Sequence, residues 1–94
     1  MPEELTVSFE EPSELLKLLS AARLDVFRAI KERPDSITGV AQRLHRDRSA
    51  VKRDIDQLAN AGLVTIEIKN LPGHGRQKEV RPAANQFRLE AVLA

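Results

Sequence analysis

The spacing of apolar and polar residues predicts one strand and two helices in the first third of the chain. Residues 5–9 alternate apolar and polar side chains, which is the period of a half-buried strand. Leucines fall on one helical face over residues 14–19, and apolar residues recur every three positions over residues 21–33, just before a proline. Ser13 and Ser20 precede these segments, so we expect each to cap a helix by accepting a backbone N–H.

The middle of the chain predicts a short helix, a tight connection and a longer helix. Thr38 is expected to cap the short helix over residues 39–44, and residues 45–47 leave room only for a tight turn. Apolar residues at positions i, i+4 and i+7 favour a longer helix over residues 48–61. Gly62 follows directly, at the place where a glycine commonly ends a helix.

The last third of the chain predicts strands. Apolar and β-branched residues alternate with polar ones over residues 63–69, a turn rich in glycine and proline follows over residues 71–75, and residues 77–81 can return as an antiparallel strand. Residues 86–93 alternate once more, and Ile37 is expected to make a single-residue strand contact. The expected fold class is therefore α+β, with a helical core, a C-terminal β-hairpin and extra N- and C-terminal strands.

Two neighbouring segments resemble a known class of regulator. They read ITGVAQRL at residues 37–44 and DRSAVKRDIDQLANAGLV at residues 47–64, and a strand and a Gly-rich basic loop follow. Together they resemble prokaryotic winged helix-turn-helix transcriptional regulators of the MarR and ArsR kind, over about residues 21–82. One position departs from that pattern, because such proteins usually have glycine between the two helices. His45 stands there, and histidine tolerates a left-handed backbone better than bulkier residues do.

The resemblance implies that the chain has three parts. Residues 21–82 are expected to be the winged helix-turn-helix DNA-binding domain, residues 1–20 a dimerisation extension and residues 83–94 a C-terminal strand. We expect the strand at residues 5–9 to pair with the C-terminal strand, within one chain or between two. Deleting residues 1–19 is then expected to give a monomer. The flanks also resemble a group of very small predicted regulators, some of which are proposed to lie beside toxin genes.

The distribution of charge along the chain suggests a kind of binding partner. The net charge is only +1, yet residues 1–14 hold five acids and no base. Residues 43–53 hold five bases and one acid, and residues 69–81 hold four bases and one acid. Two basic clusters of this kind suggest a polyanion as partner, although an ordinary solvated surface gives the same composition.

Helical geometry assigns an outer side to the segment at residues 48–61. When Val51, Ile55 and Leu58 face inward, Ser49 and Arg53 lie about 160° and 200° around the helix axis from Val51. An α-helix fits the major groove, and its N-terminal residues usually contact base edges. Ser49 and Arg53 are therefore the predicted base-reading residues, with a solvated helix face as the alternative.

Other cations near this helix are predicted to hold DNA phosphates. These are Arg46, Arg48 and Lys52, whose contacts would fix the register of the protein on the duplex. Asp47 is expected to cap the helix. Asp56 either limits how deeply the helix enters the groove or orients Lys52 or Arg53, and the sequence leaves both open.

The turn of the predicted hairpin offers three more candidate DNA contacts. Arg76 at a flexible tip suits a narrow minor groove, and Lys78 and His74 are further predicted DNA contacts. His74 could instead make a pH-sensitive contact, and the cations could simply keep the tip soluble. His45 is interpreted as a turn residue, with a phosphate contact as the alternative.

Several functions are not expected. The chain has no cysteine, two histidines without ligand spacing, and three aromatic residues, all Phe. We therefore expect no enzyme activity, no cofactor and no metal site, and the few aromatic residues give no stacking platform for RNA or single-stranded nucleic acid. No apolar stretch is long enough for a membrane span, and the start of the chain lacks the basic residues of a signal peptide, so a cytoplasmic location is expected.

The function predicted from sequence is specific binding of double-stranded DNA by a homodimeric transcriptional regulator, with repression as the expected outcome. The recognition helix would be residues 48–61 and the wing residues 70–78. Two alternatives stay open: an antitoxin that binds a toxin as well as its own operator, and a winged-helix module that binds another protein.

Overall fold

The computed structural model describes residues 2–73 and 75–94. Within them the chain forms four helices and four strands, so the predicted α+β class is confirmed. In chain order these are β1 (Glu4–Phe9), α1 (Pro12–Leu18), α2 (Ala21–Glu32), α3 (Ile37–Leu44), α4 (Arg48–Asn60), β2 (Val64–Leu71), β3 (Gly75–Pro82) and β4 (Gln86–Ala91).

Helices α2, α3 and α4 pack around one apolar core. Val26 and Ile30 of α2, Val40 of α3 and Val51 and Ile55 of α4 have no exposed surface. Burial of such side chains contributes about 1.5–3 kcal/mol each, so this cluster is the main source of stability in so short a chain. None of the helices described is both long and apolar enough to cross a bilayer.

The starts of α1 and α2 follow different rules. Ser20 caps α2 as predicted, because its hydroxyl accepts a hydrogen bond from the Arg23 N–H at 3.2 Å. The predicted cap of α1 was wrong: Ser13 lies inside the helix, and Glu11 is the N-cap residue without a side-chain cap bond. Pro12 explains the earlier start, since its fixed φ and missing N–H suit the first helical position.

Helix α3 also begins earlier than predicted. Ser36, not Thr38, is the N-cap, and its hydroxyl accepts from the Gly39 N–H at 3.0 Å. Ile37 is therefore helical, and the single-residue strand contact is made by Asp35, which exchanges two backbone hydrogen bonds with Val80. Because this bridge holds the chain extended at Asp35, the next serine is the first residue free to cap the helix.

The connection between α3 and α4 has the predicted geometry. His45 adopts the left-handed conformation with φ 53° and ψ 43°, and its N–H closes the end of α3 on the Gln42 carbonyl. Asp47 caps α4 by accepting from the Ala50 N–H at 3.2 Å. Gly62, with φ +83°, directs the chain into β2.

The two ends of the chain form a parallel two-stranded ribbon. β1 and β4 pair from Glu4 opposite Gln86 to Phe9 opposite Ala91, so the predicted pairing occurs within the chain. Alternate residues of both strands are half-buried and turn toward the helices. Phe87 meets Phe27 of α2 edge to face, with ring centroids 5.2 Å apart.

The second sheet is the antiparallel hairpin β2–β3. Its strands pair from Val64 opposite Pro82 to Leu71 opposite Gly75, and they are longer than the sequence predicted. The buried base of the hairpin, at Val64 and Val80, packs on the core, whereas the part nearer the turn is exposed. The hairpin therefore projects from the helices, while the ribbon closes against them.

Candidate nucleic-acid interface

One side of α4 faces solvent while the other is fully buried. Val51 and Ile55 have no exposed surface and Leu58 is 1% exposed, which confirms the predicted inner face. Ser49 and Arg53 are exposed, as the helical angles predicted. The exposed side begins at the N-terminus of α4, the end of a helix that usually reaches base edges.

Lys52 and Asp56 form a pair on the exposed side of α4. The Lys52 Nζ lies 2.8 Å from an Asp56 carboxylate oxygen, and both side chains are about half exposed, at 51% and 45%. Of the two roles left open for Asp56, the structure thus shows a contact with Lys52. Asp56 offsets part of the charge that Lys52 brings to this face.

The Arg46 side chain forms hydrogen bonds with other groups of the protein. Its guanidinium donates to the Asp54 carboxylate at 3.1 Å and to the Ala22 carbonyl at 3.2 Å. These bonds turn the side chain toward α2 and away from the exposed side of α4. The orientation gives no support to the predicted phosphate contact, because the charge of Arg46 is paired with Asp54 and two of its donors are engaged within the chain.

Asp54 is the centre of a charged seam between α2 and α4. It is 8% exposed and accepts from Arg46 on one oxygen and from Arg23 on the other, at 3.2 Å. Arg23 also donates to the carbonyls of Lys17 and Leu18 at the end of α1. We call Arg23, Arg46 and Asp54 the seam; it ties the end of α1, α2 and the middle of α4 together.

Arg43, from the same basic cluster of the sequence, is also used internally. Its guanidinium donates to the carbonyls of Ala29 and Arg33, at 3.0 and 2.8 Å, and lies 3.5 Å from the Asp35 carboxylate. Two of the five bases between residues 43 and 53 are thus structural, which the density of charge in the sequence does not reveal.

A cleft lies between the hairpin and the two helices α3 and α4. It has a volume of about 520 Å³, and Arg48, Arg76 and Lys78 line it. The Arg48 Nε donates to the Thr38 hydroxyl at 3.0 Å, which holds the arginine at the edge of this cleft. The structure therefore brings together three predicted DNA-contacting residues from two separate elements.

Four cations of this region have no acidic partner among the described residues. Within residues 2–73 and 75–94, no carboxylate oxygen lies within 4.0 Å of the charged groups of Arg48, Arg53, Arg76 or Lys78. We call these four residues the outer cations. Their charge is uncompensated by ion pairs within the described chain, so it is available to an external anion such as a phosphate.

The opposite face of the hairpin is charged but paired. Lys69 and Arg81 lie 3.1 and 2.6 Å from the Glu79 carboxylate, and Arg81 lies 3.4 Å from Glu67. Interaction with the Lys69 ammonium, aided by the Arg81 charge, lowers the pKa of Glu79 against the opposing effect of its partial burial. The two faces of the hairpin therefore differ in free charge.

Comparison with known proteins assigns the chain to a family. The model of the HVO_A0114 family matches residues 18–84, which is most of the chain. The chain belongs to the HVO_A0114 family. Over 49 residues it is also 41% identical to the uncharacterized protein MJ1503 of Methanocaldococcus jannaschii, a stretch that covers 52% of this chain and 37% of that protein. The chain thus matches little more than a third of that relative's length.

A solved structure resembles the fold of this HVO_A0114 family member. It is a possible transcriptional regulator from Methanosarcina mazei Go1, with a TM-score of 0.60 and 20% sequence identity. The match covers 74% of this chain and 62% of that one, and at such low identity it shows the fold alone. The finer resemblance to regulators of the MarR and ArsR kind stays a prediction.

The family match and the candidate surface overlap. Residues 18–84 include all four outer cations and the whole seam, whereas β1 and β4 lie outside them. His74, the remaining predicted contact, lies outside the described residues. Across the described residues, no three His, Cys, Asp or Glu side chains come close enough to hold a metal ion.

Sequence reasoning missed the seam. Asp54 follows Val51 by three residues and precedes Ile55, so it lies about 60° from the direction of Val51, on the inner face of α4. A carboxylate at such a position needs a buried cation, and Arg46 stood in the same cluster. The helical angle of Asp54 was thus the signal that could have revealed its burial. Nothing in the sequence indicated that Arg23, from another helix, would pair with it.

Proposed function

We propose that this HVO_A0114 family member is a winged helix-turn-helix protein that binds double-stranded DNA sequence-specifically and regulates transcription. Helix α4 is the recognition helix, and the hairpin β2–β3 is the wing. The observation that carries the proposal is the set of outer cations, which lie on the exposed side of α4 and on the hairpin beside it, without acidic partners in the described chain.

The dimensions suit a duplex. A helix with its side chains is about 10–12 Å across, and the major groove is about 12 Å wide. With α4 in the groove, Arg53 and Ser49 face base edges, and Arg48 and Lys52 reach the flanking phosphates. Asp56 bonds Lys52 and so selects its orientation toward one strand of the duplex.

The wing contributes from the side of the helix. Arg76 and Lys78 lie on the hairpin face that borders the cleft with Arg48, so the three cations can follow one stretch of backbone. His74 remains a predicted DNA contact on the sequence alone. Arg46 is left out of this interface because its guanidinium is bound to Asp54.

The structural neighbour supports the proposal to a limited degree. The Methanosarcina protein is named a possible transcriptional regulator, which agrees with DNA binding by the shared fold. The proposal further includes a homodimer that acts as a repressor on a roughly palindromic operator, because one recognition helix contacts few base pairs. It includes no catalysis and no cofactor.

A mobility-shift titration tests the proposal. The purified protein is titrated on the duplex upstream of its own gene and on a scrambled duplex, each at two salt concentrations. We expect preference for the upstream duplex and a steep loss of affinity with salt, with a slope of about −0.9 for each phosphate contacted. Absence of a shift would overturn DNA binding, and a shift insensitive to salt would overturn the assignment of the outer cations to phosphate contacts. Co-purification of another protein without any shift would favour the protein-binding alternative, whereas co-purification together with a salt-sensitive shift would favour the antitoxin.

A further inference from the structure

The outer edge of β4 presents unpaired peptide groups. The Gln86 N–H donates to the Glu3 carbonyl at 3.0 Å, so the even-numbered residues of β4 direct their peptide groups toward β1. Since the direction alternates along a strand, the peptide groups of the odd-numbered residues point away from β1. Among residues 2–73 and 75–94, no strand lies on that edge.

Exposed apolar side chains follow this open edge in the chain. Val92 and Leu93, which directly follow β4, are 82% and 86% exposed. Phe87 and Leu89 within β4 are only half-buried. An open strand edge beside exposed apolar groups is a template for pairing with another strand.

We propose that a second copy of this chain occupies the edge, with the two β4 strands antiparallel about a two-fold axis through Leu89. The result is a four-stranded sheet in the order β1, β4, β4 and β1. Leu89 is odd-numbered, so its outward N–H and C=O can exchange hydrogen bonds with Leu89 of the second copy. On the half-buried face, Phe87 then lies opposite Ala91 of that copy.

Charge complementarity favours this register. On the exposed face, Arg88 lies opposite Glu90 of the second copy, and the two-fold axis repeats the pair. Arg88 can turn to this contact because its side chain is 66% exposed and its existing pair with Glu4, 3.6 Å from Nε, is at the long end of ion pairing. A directly opposed pair of opposite charges stabilises antiparallel strands.

The edges of β1 and β2 fit a second copy less well. If two β1 strands paired about Val7, the middle apolar residue of β1, Glu4 of one copy would lie opposite Glu10 of the other. These two like charges would repel each other. A β2 pair centred on Ile68 would use Glu67 and Lys69, which already pair with Arg81 and Glu79 across the hairpin. The inference does not depend on DNA binding.

Charge exchange between two variants tests the register. Arg88→Glu alone opposes two glutamates at each pair, and Glu90→Arg alone opposes two arginines. Each variant should therefore dimerise at least about tenfold more weakly than the wild type, since two attractive pairs become repulsive. An equimolar mixture of the two variants should restore the dimer, because both pairs become attractive again. Sedimentation equilibrium on the full chain measures all four samples.

The mixture also controls for folding, because a variant that failed to fold could not be restored by its counterpart. The double variant Arg88→Glu with Glu90→Arg should regain dimerisation on its own, and Ala91→Pro should weaken it by removing one outward N–H. A monomeric wild type, a dimer unaffected by the single variants, or a mixture no tighter than its components would overturn the β4 interface.

Discussion

The seam and the outer cations are built from the same kind of residue and do opposite things. In the seam, Arg23 and Arg46 close on Asp54 with charged groups 3.2 and 3.1 Å apart, mostly removed from solvent. In the outer set, Arg48 and Arg53, the latter next to Asp54 in sequence, have no such partner within the described residues. The first region holds three helices together, and the second leaves its charge open to a partner.

The difference shows that a carboxylate decides what a neighbouring arginine does. Attraction between charges about 4 Å apart is several times stronger near the protein interior than in bulk water. Arginines that can reach buried Asp54 are drawn to it, and those on the far side of α4 are not. A basic cluster in a sequence is therefore a mixture of structural and available cations, separated by helix direction.

Removal of the Asp54 carboxylate should have the largest effect. Asp54→Ala leaves the Arg23 and Arg46 charges partly buried without a partner, so we expect a loss of about 2–4 kcal/mol in the free energy of unfolding. Urea denaturation followed by circular dichroism measures it. The matched control is Asp56→Ala on the same helix, whose exposed pair with Lys52 should be worth less than about 1 kcal/mol. Equal effects of the two variants would show that burial does not separate the regions.

Arg53 should show the reverse behaviour. Arg53→Ala is expected to reduce affinity for the preferred duplex by about 1–3 kcal/mol and to relax sequence preference, while the unfolding free energy stays nearly constant. Titration on matched and scrambled duplexes measures both quantities. Arg28→Ala is the control, since Arg28 is an exposed arginine of α2 outside the proposed interface. The assignment of Arg53 fails if the two variants bind both duplexes as the wild type does.

Much of the fold was predictable because it depends on local sequence. The periodicity of α4, the cap at Asp47, the left-handed His45 and the alternation within each terminal strand all followed from patterns spanning a few residues. The errors at the starts of α1 and α3 have a related cause. Neighbouring residues can each cap a helix, and the choice between Ser36 and Thr38 depends on a bridge from Asp35 to Val80, far away in sequence.

The candidate site was only partly predictable for the same reason. The exposed side of α4 follows from helical angles, so Ser49 and Arg53 were found. The fate of Arg46 was not, because it depends on contacts with Asp54 and with the Ala22 carbonyl of another helix. Long-range pairing of this kind leaves no periodic signal in a single sequence.

Lys78 and Lys69 carry the same charge on opposite faces of the hairpin. Lys78→Ala should weaken binding to all duplexes alike and reduce the magnitude of the salt slope by about 1, as expected for one lost phosphate contact. Lys69→Ala removes the same charge from the opposite face, where Glu79 already pairs with it, and should change the slope less. Affinity measured at several salt concentrations gives both slopes. Identical slopes for the two variants would remove the hairpin face from the interface.

Glu79 is expected to give the smallest effect on stability, because its ion pairs with the cations of the hairpin lie near the protein surface. Its folded-state pKa lies below the ordinary value of 4.5, so its pairing stabilises the native state above that value. The stabilisation, less than about 1 kcal/mol, should be lost as pH falls through the lowered pKa, since protonation then abolishes the pairs. Urea unfolding at neutral and at progressively acidic pH measures the loss, and Glu79→Gln should remove this contribution at every pH. If the variant and the wild type kept a constant difference in stability down to strongly acidic pH, the pairs with Lys69 and Arg81 would contribute nothing, and these two cations would rank with the outer set.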